Sequence, residues 1–216
     1  MKAVIFDLDG TLLNTVESME AAGSKMLKDL GLSPRPAEEY KLYAGDGAKT
    51  LVERVLHACG KDDPALLEKA FPIYMGYFEK TCTYHVAPYP GIVELLQELK
   101  RRMVKLAVLS NKPHQQTVDV ISWYFPEHLF DYVQGQCESV PKKPSPVGAK
   151  KIAEQFGIEA KDCFYVGDTN VDMQTGKSAG MKTIGVLWGF RTERELRENH
   201  ADRIIASPKQ LLELLA

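Results

Sequence analysis

The amino-acid sequence predicts an α/β fold in which a parallel sheet is interrupted, after its first strand, by an all-helical segment. Residues 3–6 form an apolar run without alternation, which is typical of a strand buried on both faces. Between Thr15 and Thr81, apolar residues recur at helical spacing. From residue 92 onward, strand-like and helix-like segments alternate, and this order indicates a parallel sheet with covering helices.

Four helices are predicted in the helical segment, at residues 15–30, 37–42, 48–59 and 64–80. Gly31 and Gly60 follow the first and the third helix, at the position where glycine commonly ends a helix. Residues 44–47 form a glycine-bearing loop. Pro72 is expected to disturb the fourth helix, because proline has no backbone N–H to donate.

The later elements complete the sheet. Strands are predicted at residues 104–109, 132–133, 163–166, 183–187 and 204–205, and helices at 92–102, 146–156, 173–179 and 208–215. The predicted fold class is therefore α/β, with a parallel-sheet, Rossmann-like core and an inserted all-helical cap domain. Residues 1–14 and 83–216 are assigned to the core, and residues 15–82 to the cap domain, which would cover the sheet edge as a lid.

Composition and charge exclude few classes but favour an ordinary globular protein. Of 216 residues, 44% are hydrophobic and 26% charged. A formal net charge of -2 gives no reason to expect nucleic acid or an anionic membrane as a partner. The four cysteines lack paired spacing and the sequence does not begin with a secretory signal pattern, so reduced thiols and a cytoplasmic location are expected. A monomer or weak homodimer is expected.

Three clusters of polar residues each follow a predicted strand. Asp7 and Asp9 follow the first strand, and residues 110–112 and 167–172 follow two later ones. Open parallel sheets bind ligands at the carboxyl ends of their strands, so these clusters are expected to form one site. Asp7 and Asp9 would point the same way, because the side-chain period of an extended chain is two residues.

The carboxylates of these clusters predict a metal site. Asp168 and Asp172 add two carboxylates to Asp7 and Asp9. Four carboxylates would repel one another and a phosphate dianion, so a bound cation is required. Oxygen ligands suit a hard divalent ion, and Mg²⁺ is the expected cofactor because it keeps waters and bridges substrate phosphate.

The same residues predict phosphoryl transfer to a carboxylate. Asp7 would attack phosphorus, and Asp9 would protonate the leaving alkoxide and then activate water. Lys143, held before a proline, would supply positive charge to the phosphoryl oxygens. Ser110 would donate its hydroxyl to phosphate, and Thr11 a hydroxyl and a backbone N–H.

Two residues of the helical segment are expected to reach the substrate. The backbone N–H of Gly47 and the ammonium of Lys49 would lie over the pocket, where a substrate carboxylate needs a cation. The alternative is that Gly45 and Gly47 only shape the turn between two helices.

Four segments resemble, in order and spacing, the motifs of the haloacid dehalogenase-like hydrolases: residues 7–12, 110–112, 143–146 and 167–172. Within that superfamily the chain is most similar to the phosphoglycolate phosphatase group, on residues 45–54, 89–91, 111–113, 165–172 and 179–189. The resemblance covers essentially the whole chain, including a helical cap inserted after the first motif.

The resemblance implies roles for individual residues. It implies Asp7 as nucleophile and Asp9 as acid and base. It implies Mg²⁺ held by the Asp7 carboxylate, the Asp9 backbone carbonyl and Asp168, with Asp172 nearby or acting through water. Asn111, in the second motif, is counted as substrate-binding. 

The function expected on these grounds is a Mg²⁺-dependent phosphatase for a small phosphorylated metabolite, with 2-phosphoglycolate as the expected substrate. The alternative is a sugar-phosphate mutase of the same superfamily, which would depend on a bisphosphate activator. A dehalogenase is disfavoured because it would need no proton-donating carboxylate at Asp9. A non-catalytic binding protein on this fold is disfavoured because none of the core residues is missing.

Overall fold

A six-stranded parallel sheet forms the centre of the protein, in a computed structural model that describes residues 2–215. In order across the sheet, the strands are β5 (Tyr132–Gln136), β4 (Lys105–Pro113), β1 (Ala3–Phe6), β6 (Cys163–Gly167), β7 (Lys182–Val186) and β8 (Arg203–Ile205). Neighbouring strands are parallel throughout. The predicted α/β class with a parallel, Rossmann-like sheet is therefore confirmed.

Helices cover both faces of this sheet. They are α5 (Ile92–Arg101), α6 (His114–Tyr124), α7 (Val147–Phe156), α8 (Asn170–Ala179), α9 (Glu193–Glu198) and α10 (Pro208–Leu214). The alternation of side chains along β1 separates two apolar clusters. Val4 and Phe6 belong to the larger cluster, and Ala3 and Ile5 to the smaller one. The central strand is thus buried on both faces, as its uninterrupted apolar run predicts.

Four helices lie in the chain between two short strands. The helices are α1 (Val16–Asp29), α2 (Ala37–Tyr43), α3 (Ala48–Ala58) and α4 (Pro64–Thr81), and the strands are β2 (Leu13–Asn14) and β3 (Ala87–Pro88). The strands pair antiparallel, with Leu13 opposite Pro88, so the chain leaves and re-enters this helical segment at one place. Its apolar faces belong to the larger of the two clusters. The sequence pattern does not predict the β2–β3 pair, because two residues are too few to show a period.

Two further details differ from expectation. The helix α4 continues through Pro72, where a disturbance is predicted. Pro72 and Glu68, whose carbonyl loses its usual donor, are both exposed, so the missing bond leaves no buried polar group unpaired. The buried Tyr74 and Phe78 hold the helix in place. The helix α6 is not predicted at all, because two of its four buried residues, Gln116 and Thr117, are polar and so the helix shows no apolar periodicity.

Among residues 2–215, none of the helices combines the length and the apolar character that crossing a bilayer requires.

Candidate active site

A cavity lies between the carboxyl ends of the central strands and the helical segment. Asp7 and Asp9 follow β1, Ser110 lies near the end of β4, and Lys143 comes from the loop before α7. The rest of the lining is Met19, Ala44, Gly45, Gly47, Ala48, Leu51, Tyr74, Phe78, Asn111, Lys112 and Pro113. The space open to the centre of a water-sized sphere is about 40 Å³. This volume would hold roughly three water molecules, so the enclosed part of the cavity is small.

Three buried carboxylates meet beside this cavity. One oxygen from each of Asp7, Asp168 and Asp172 lies within 4.8 Å of the other two. Burial and repulsion from Asp172 raise the pKa of Asp7 well above its usual range, although Lys143 opposes the shift. Burial and the same neighbour raise the pKa of Asp168 to about 7. The fold therefore holds three carboxylates together although their charges repel one another when ionised.

The ammonium of Lys143 is the counter-charge of this cluster. Its Nζ lies 2.8 Å from Asp7 Oδ1 and 2.7 Å from Asp172 Oδ1, and 3% of its side chain is exposed. Burial lowers the pKa of Lys143, but Asp172 and Asp7 outweigh it and the pKa is raised well above the usual range. The backbone of Lys143 is fixed by Asn111, whose Oδ1 accepts its N–H at 2.8 Å and whose Nδ2 donates to its carbonyl at 3.0 Å.

Neighbouring groups orient Asp168. Its Oδ1 accepts a hydrogen bond from the Thr11 hydroxyl at 2.9 Å, and its Oδ2 accepts one from the Phe190 backbone N–H at 2.7 Å. A side chain at Gly189 would lie 2.3 Å from the Asp168 Cβ, so only glycine allows this close approach.

Asp172 is oriented by the first turn of α8. Its Oδ2 accepts from the backbone N–H of Thr169 at 3.0 Å and from the Thr169 hydroxyl at 2.7 Å, which is a capping box. Its Oδ1 faces Lys143. The same bonds that start the helix therefore fix the carboxylate.

The charges of this cluster fit a divalent cation. When ionised, Asp7, Asp168 and Asp172 carry three negative charges against the one positive charge of Lys143. The net charge of two is what one divalent ion neutralises, and an all-oxygen carboxylate set suits Mg²⁺.

Asp9 has a cationic partner that sequence reasoning missed. The Lys112 Nζ lies 3.0 Å from Asp9 Oδ1, with 2% of the lysine side chain and 17% of the aspartate side chain exposed. The ammonium also lies 4.7 Å from the centre of the Phe78 ring on α4. The signal was present in the sequence, because Lys112 follows Ser110 and Asn111 at the same strand end.

Of the remaining predicted residues, two line the cavity and two do not. Ser110 lines the cavity, and its hydroxyl accepts the Lys112 N–H at 3.1 Å. Gly47 also lines it. Thr11 is fully buried with its hydroxyl on Asp168, and it does not line the cavity. Lys49 is not brought to the site, because its ammonium lies 2.5 Å from Glu68 on the outer surface.

The chain matches the model of the family described as haloacid dehalogenase-like hydrolase over residues 4–186. The chain belongs to this family. It is 34% identical to the phosphoglycolate phosphatase of Nitrosospira multiformis, covering 100% of this chain and 96% of that protein. It is 33% identical to the phosphoglycolate phosphatase of Aquifex aeolicus, covering 100% and 97%.

A solved structure agrees with these relatives. The crystal structure of a predicted phosphoglycolate phosphatase from Haemophilus somnus superposes with a TM-score of 0.92 at 25% identity, covering 100% of this chain and 98% of that one. The haloacid dehalogenase-like hydrolase described here therefore falls in the phosphoglycolate phosphatase-like group and is a phosphoric monoester hydrolase.

In this hydrolase, the loop 44–47 between α2 and α3 is fastened to groups outside the helical segment. Three side chains donate to its carbonyls: Asn111 to Gly45, Lys142 to Asp46 and Arg191 to Ala44, each at 2.9 Å. Gly47, with φ of 92°, lies so close to β5 that a Cβ would come 2.8 Å from Gln136 Oε1. The loop is thus held over the mouth of the cavity.

The raised pKa of Asp168 predicts a pH-dependent effect of Mg²⁺ on stability. With a folded pKa of about 7, against about 3.9 in the unfolded chain, the folded state binds more protons between these values. Without metal, this group's contribution to the free energy of unfolding therefore falls as pH rises through that window. A divalent cation would bind the ionised carboxylate, so Mg²⁺ should raise the Tm more at about pH 8 than at about pH 5.

Scanning calorimetry at both pH values, with and without Mg²⁺, measures this difference. At about 100 times its Kd, the ion is expected to raise the Tm by roughly 5 to 10 °C at the higher pH. An Asp168→Asn variant serves as the control and should lose most of the shift. Equal shifts at the two pH values would contradict the assignment of the ligands.

Proposed function

We propose that this hydrolase is a Mg²⁺-dependent phosphatase that forms an aspartyl-phosphate on Asp7. One observation carries the proposal: the Asp7 carboxylate borders the cavity beside Lys143, within 4.8 Å of Asp168 and Asp172, while Asp9 faces the same space. This arrangement puts an attacking oxygen, a proton donor and charge-neutralising groups around one small volume.

The chemistry of the first step follows from these positions. A carboxylate oxygen of Asp7 forms a bond to phosphorus as the bond from phosphorus to the ester oxygen breaks. Asp9 gives its proton to that ester oxygen, so the product leaves as an alcohol. Lys143 and the Ser110 hydroxyl bind phosphoryl oxygens as charge develops on them.

The second step regenerates the enzyme. Asp9, now ionised, takes a proton from water as the water oxygen bonds to phosphorus and the Asp7 oxygen leaves. Inorganic phosphate is released and Asp9 is again protonated. Asp7, the Asp9 carbonyl and Asp168 would hold a Mg²⁺ ion, with Asp172 nearby, and the ion would supply positive charge to the phosphoryl group.

Three predicted binding residues receive indirect roles in this proposal. Thr11 holds Asp168 in position, since its hydroxyl is already bonded there. Asn111 fixes the backbone of Lys143 and the carbonyl of Gly45. Gly47 forms part of the wall.

The helical segment supports a lid role. We assign residues 15–82 to a cap domain and residues 1–14 and 83–216 to the core, because the cavity takes its outer wall from α1, α3 and α4. Opening of this cap would admit substrate, and the loop 44–47 would hold the cap against the core when it closes.

The four cysteines are unpaired, which supports a reducing, cytoplasmic location.

The proposed substrate is 2-phosphoglycolate. Its support is the name of the relatives that match over the whole chain. We expect a panel of phosphorylated metabolites to show the highest kcat/KM for this compound, measured as phosphate release. Net phosphate release that is negligible without a sugar bisphosphate would instead indicate a mutase and contradict the proposal.

A further inference from the structure

Lys112 has binding capacity that the proposed mechanism leaves unused. Within residues 2–215, two cationic side chains line the cavity, Lys143 and Lys112. Lys143 is engaged by both Asp7 and Asp172. The Lys112 ammonium has one carboxylate partner, Asp9 at 3.0 Å, although an ammonium can donate three hydrogen bonds.

The surroundings of Lys112 make it the natural partner of an anion. The side chains that the helical segment contributes to the cavity wall are mostly apolar, and they include Met19, Leu51, Tyr74 and Phe78. Phe78 lies beside the Lys112 ammonium. An anionic group placed against such a wall needs a cation to offset its lost hydration. Lys49, the cation that the sequence suggests for this task, is bound to Glu68 on the outer surface.

We infer that Lys112 is a specificity-determining residue that binds an anionic group on the leaving alcohol, which in 2-phosphoglycolate is the carboxylate. The inference rests on the proposed function, because it takes Asp9 as the group that protonates the ester oxygen. A single methylene separates that oxygen from the carboxylate in 2-phosphoglycolate. A substrate whose ester oxygen lies at Asp9 therefore brings its carboxylate to the adjacent Lys112 ammonium.

The test compares two ligands that differ in this one charge. The second ligand is 2-hydroxyethyl phosphate, in which a hydroxymethyl group replaces the carboxylate. Lys112→Met keeps an unbranched, apolar side chain beside Phe78 and removes the charge. We expect kcat/KM for 2-phosphoglycolate to fall about ten- to a hundredfold further than kcat/KM for 2-hydroxyethyl phosphate, mainly through KM. Lys112→Arg should restore part of the preference.

A binding measurement separates this inference from the proposed function. Calorimetric titration of both ligands into Asp7→Asn and into Asp7→Asn/Lys112→Met reports recognition without turnover. Failure of the wild-type enzyme to hydrolyse 2-phosphoglycolate would overturn the proposed function, whereas the titration still decides the role of Lys112. We expect Asp7→Asn to bind 2-phosphoglycolate at least about tenfold more tightly than 2-hydroxyethyl phosphate, and the second substitution to abolish that difference.

Two further variants complete the test. Lys80→Met, at the exposed end of α4, controls for the change of lysine to methionine and should leave the preference intact. Lys49→Met tests the rival cation. The inference is overturned if Lys112→Met weakens both ligands equally, if it weakens neither, or if Lys49→Met removes the preference instead.

Discussion

Replacing Asp7 by asparagine is expected to reduce phosphate release by roughly 10⁴-fold or more, because an amide is not a nucleophile that can attack phosphorus. The fold should survive the change. Asparagine has the same shape as aspartate, and removal of one charge relieves repulsion from Asp172, the neighbour that helps raise the pKa of Asp7. Lys143 keeps Asp172 as a partner at 2.7 Å.

Steady-state phosphate release and the Tm measure these two effects in parallel. The matched control is Asp62→Asn, since the Asp62 side chain is 70% exposed and lies on the surface of the helical segment. The control should retain wild-type turnover. Turnover by Asp7→Asn within about tenfold of wild type would show that Asp7 is not the nucleophile.

Replacing Asp9 by asparagine is expected to lower kcat for 2-phosphoglycolate by about 10²- to 10⁴-fold, the usual contribution of a general acid and base. The leaving group should matter for phosphorylation of Asp7 but not for hydrolysis of the aspartyl-phosphate. Acetate is a weak base and leaves without a proton, so acetyl phosphate should still phosphorylate Asp7. Hydrolysis of the aspartyl-phosphate would then be slow, because no base activates water.

Rapid-quench measurement with acetyl phosphate resolves these steps. Asp9→Asn should consume about one equivalent of acetyl phosphate per active site in a fast burst, followed by slow turnover. The wild-type enzyme should show a smaller burst, since Asp9 speeds the second step. If Asp9→Asn lowers kcat for 2-phosphoglycolate and for acetyl phosphate by the same factor and shows no burst, Asp9 is not the acid and base.

The convergence of Asp7, Asp168 and Ser110 could be predicted from sequence because it depends on topology. Asp7 and Asp168 directly follow β1 and β6, Ser110 lies near the carboxyl end of β4, and these three strands are adjacent in the sheet. Apolar runs identify such strands, and parallel order brings their ends to one edge. The fold class followed from the same pattern, and both the sheet order and the family comparison confirm it.

Side-chain partners could not be predicted in the same way. Thr11 bonds Asp168, and Lys49 bonds Glu68, although a hydroxyl and an ammonium near a phosphate site are equally suited to bind substrate. Which partner a side chain takes depends on distances between elements that are far apart in the chain. Lys112 is a residue whose partner was missed for the same reason, since its pairing with Asp9 depends on the register of β4 beside β1.

The central claim is that Asp7 carries the phosphoryl group during turnover, and it can be tested by locating that group directly. Asp9→Asn is mixed with acetyl phosphate and Mg²⁺, quenched in acid, digested with pepsin at low pH and sequenced by mass spectrometry. We expect one phosphoryl group on Asp7, and none when Mg²⁺ is replaced by a chelator. A phosphoryl group on any other residue, or an unmodified chain at the peak of the burst, would contradict it.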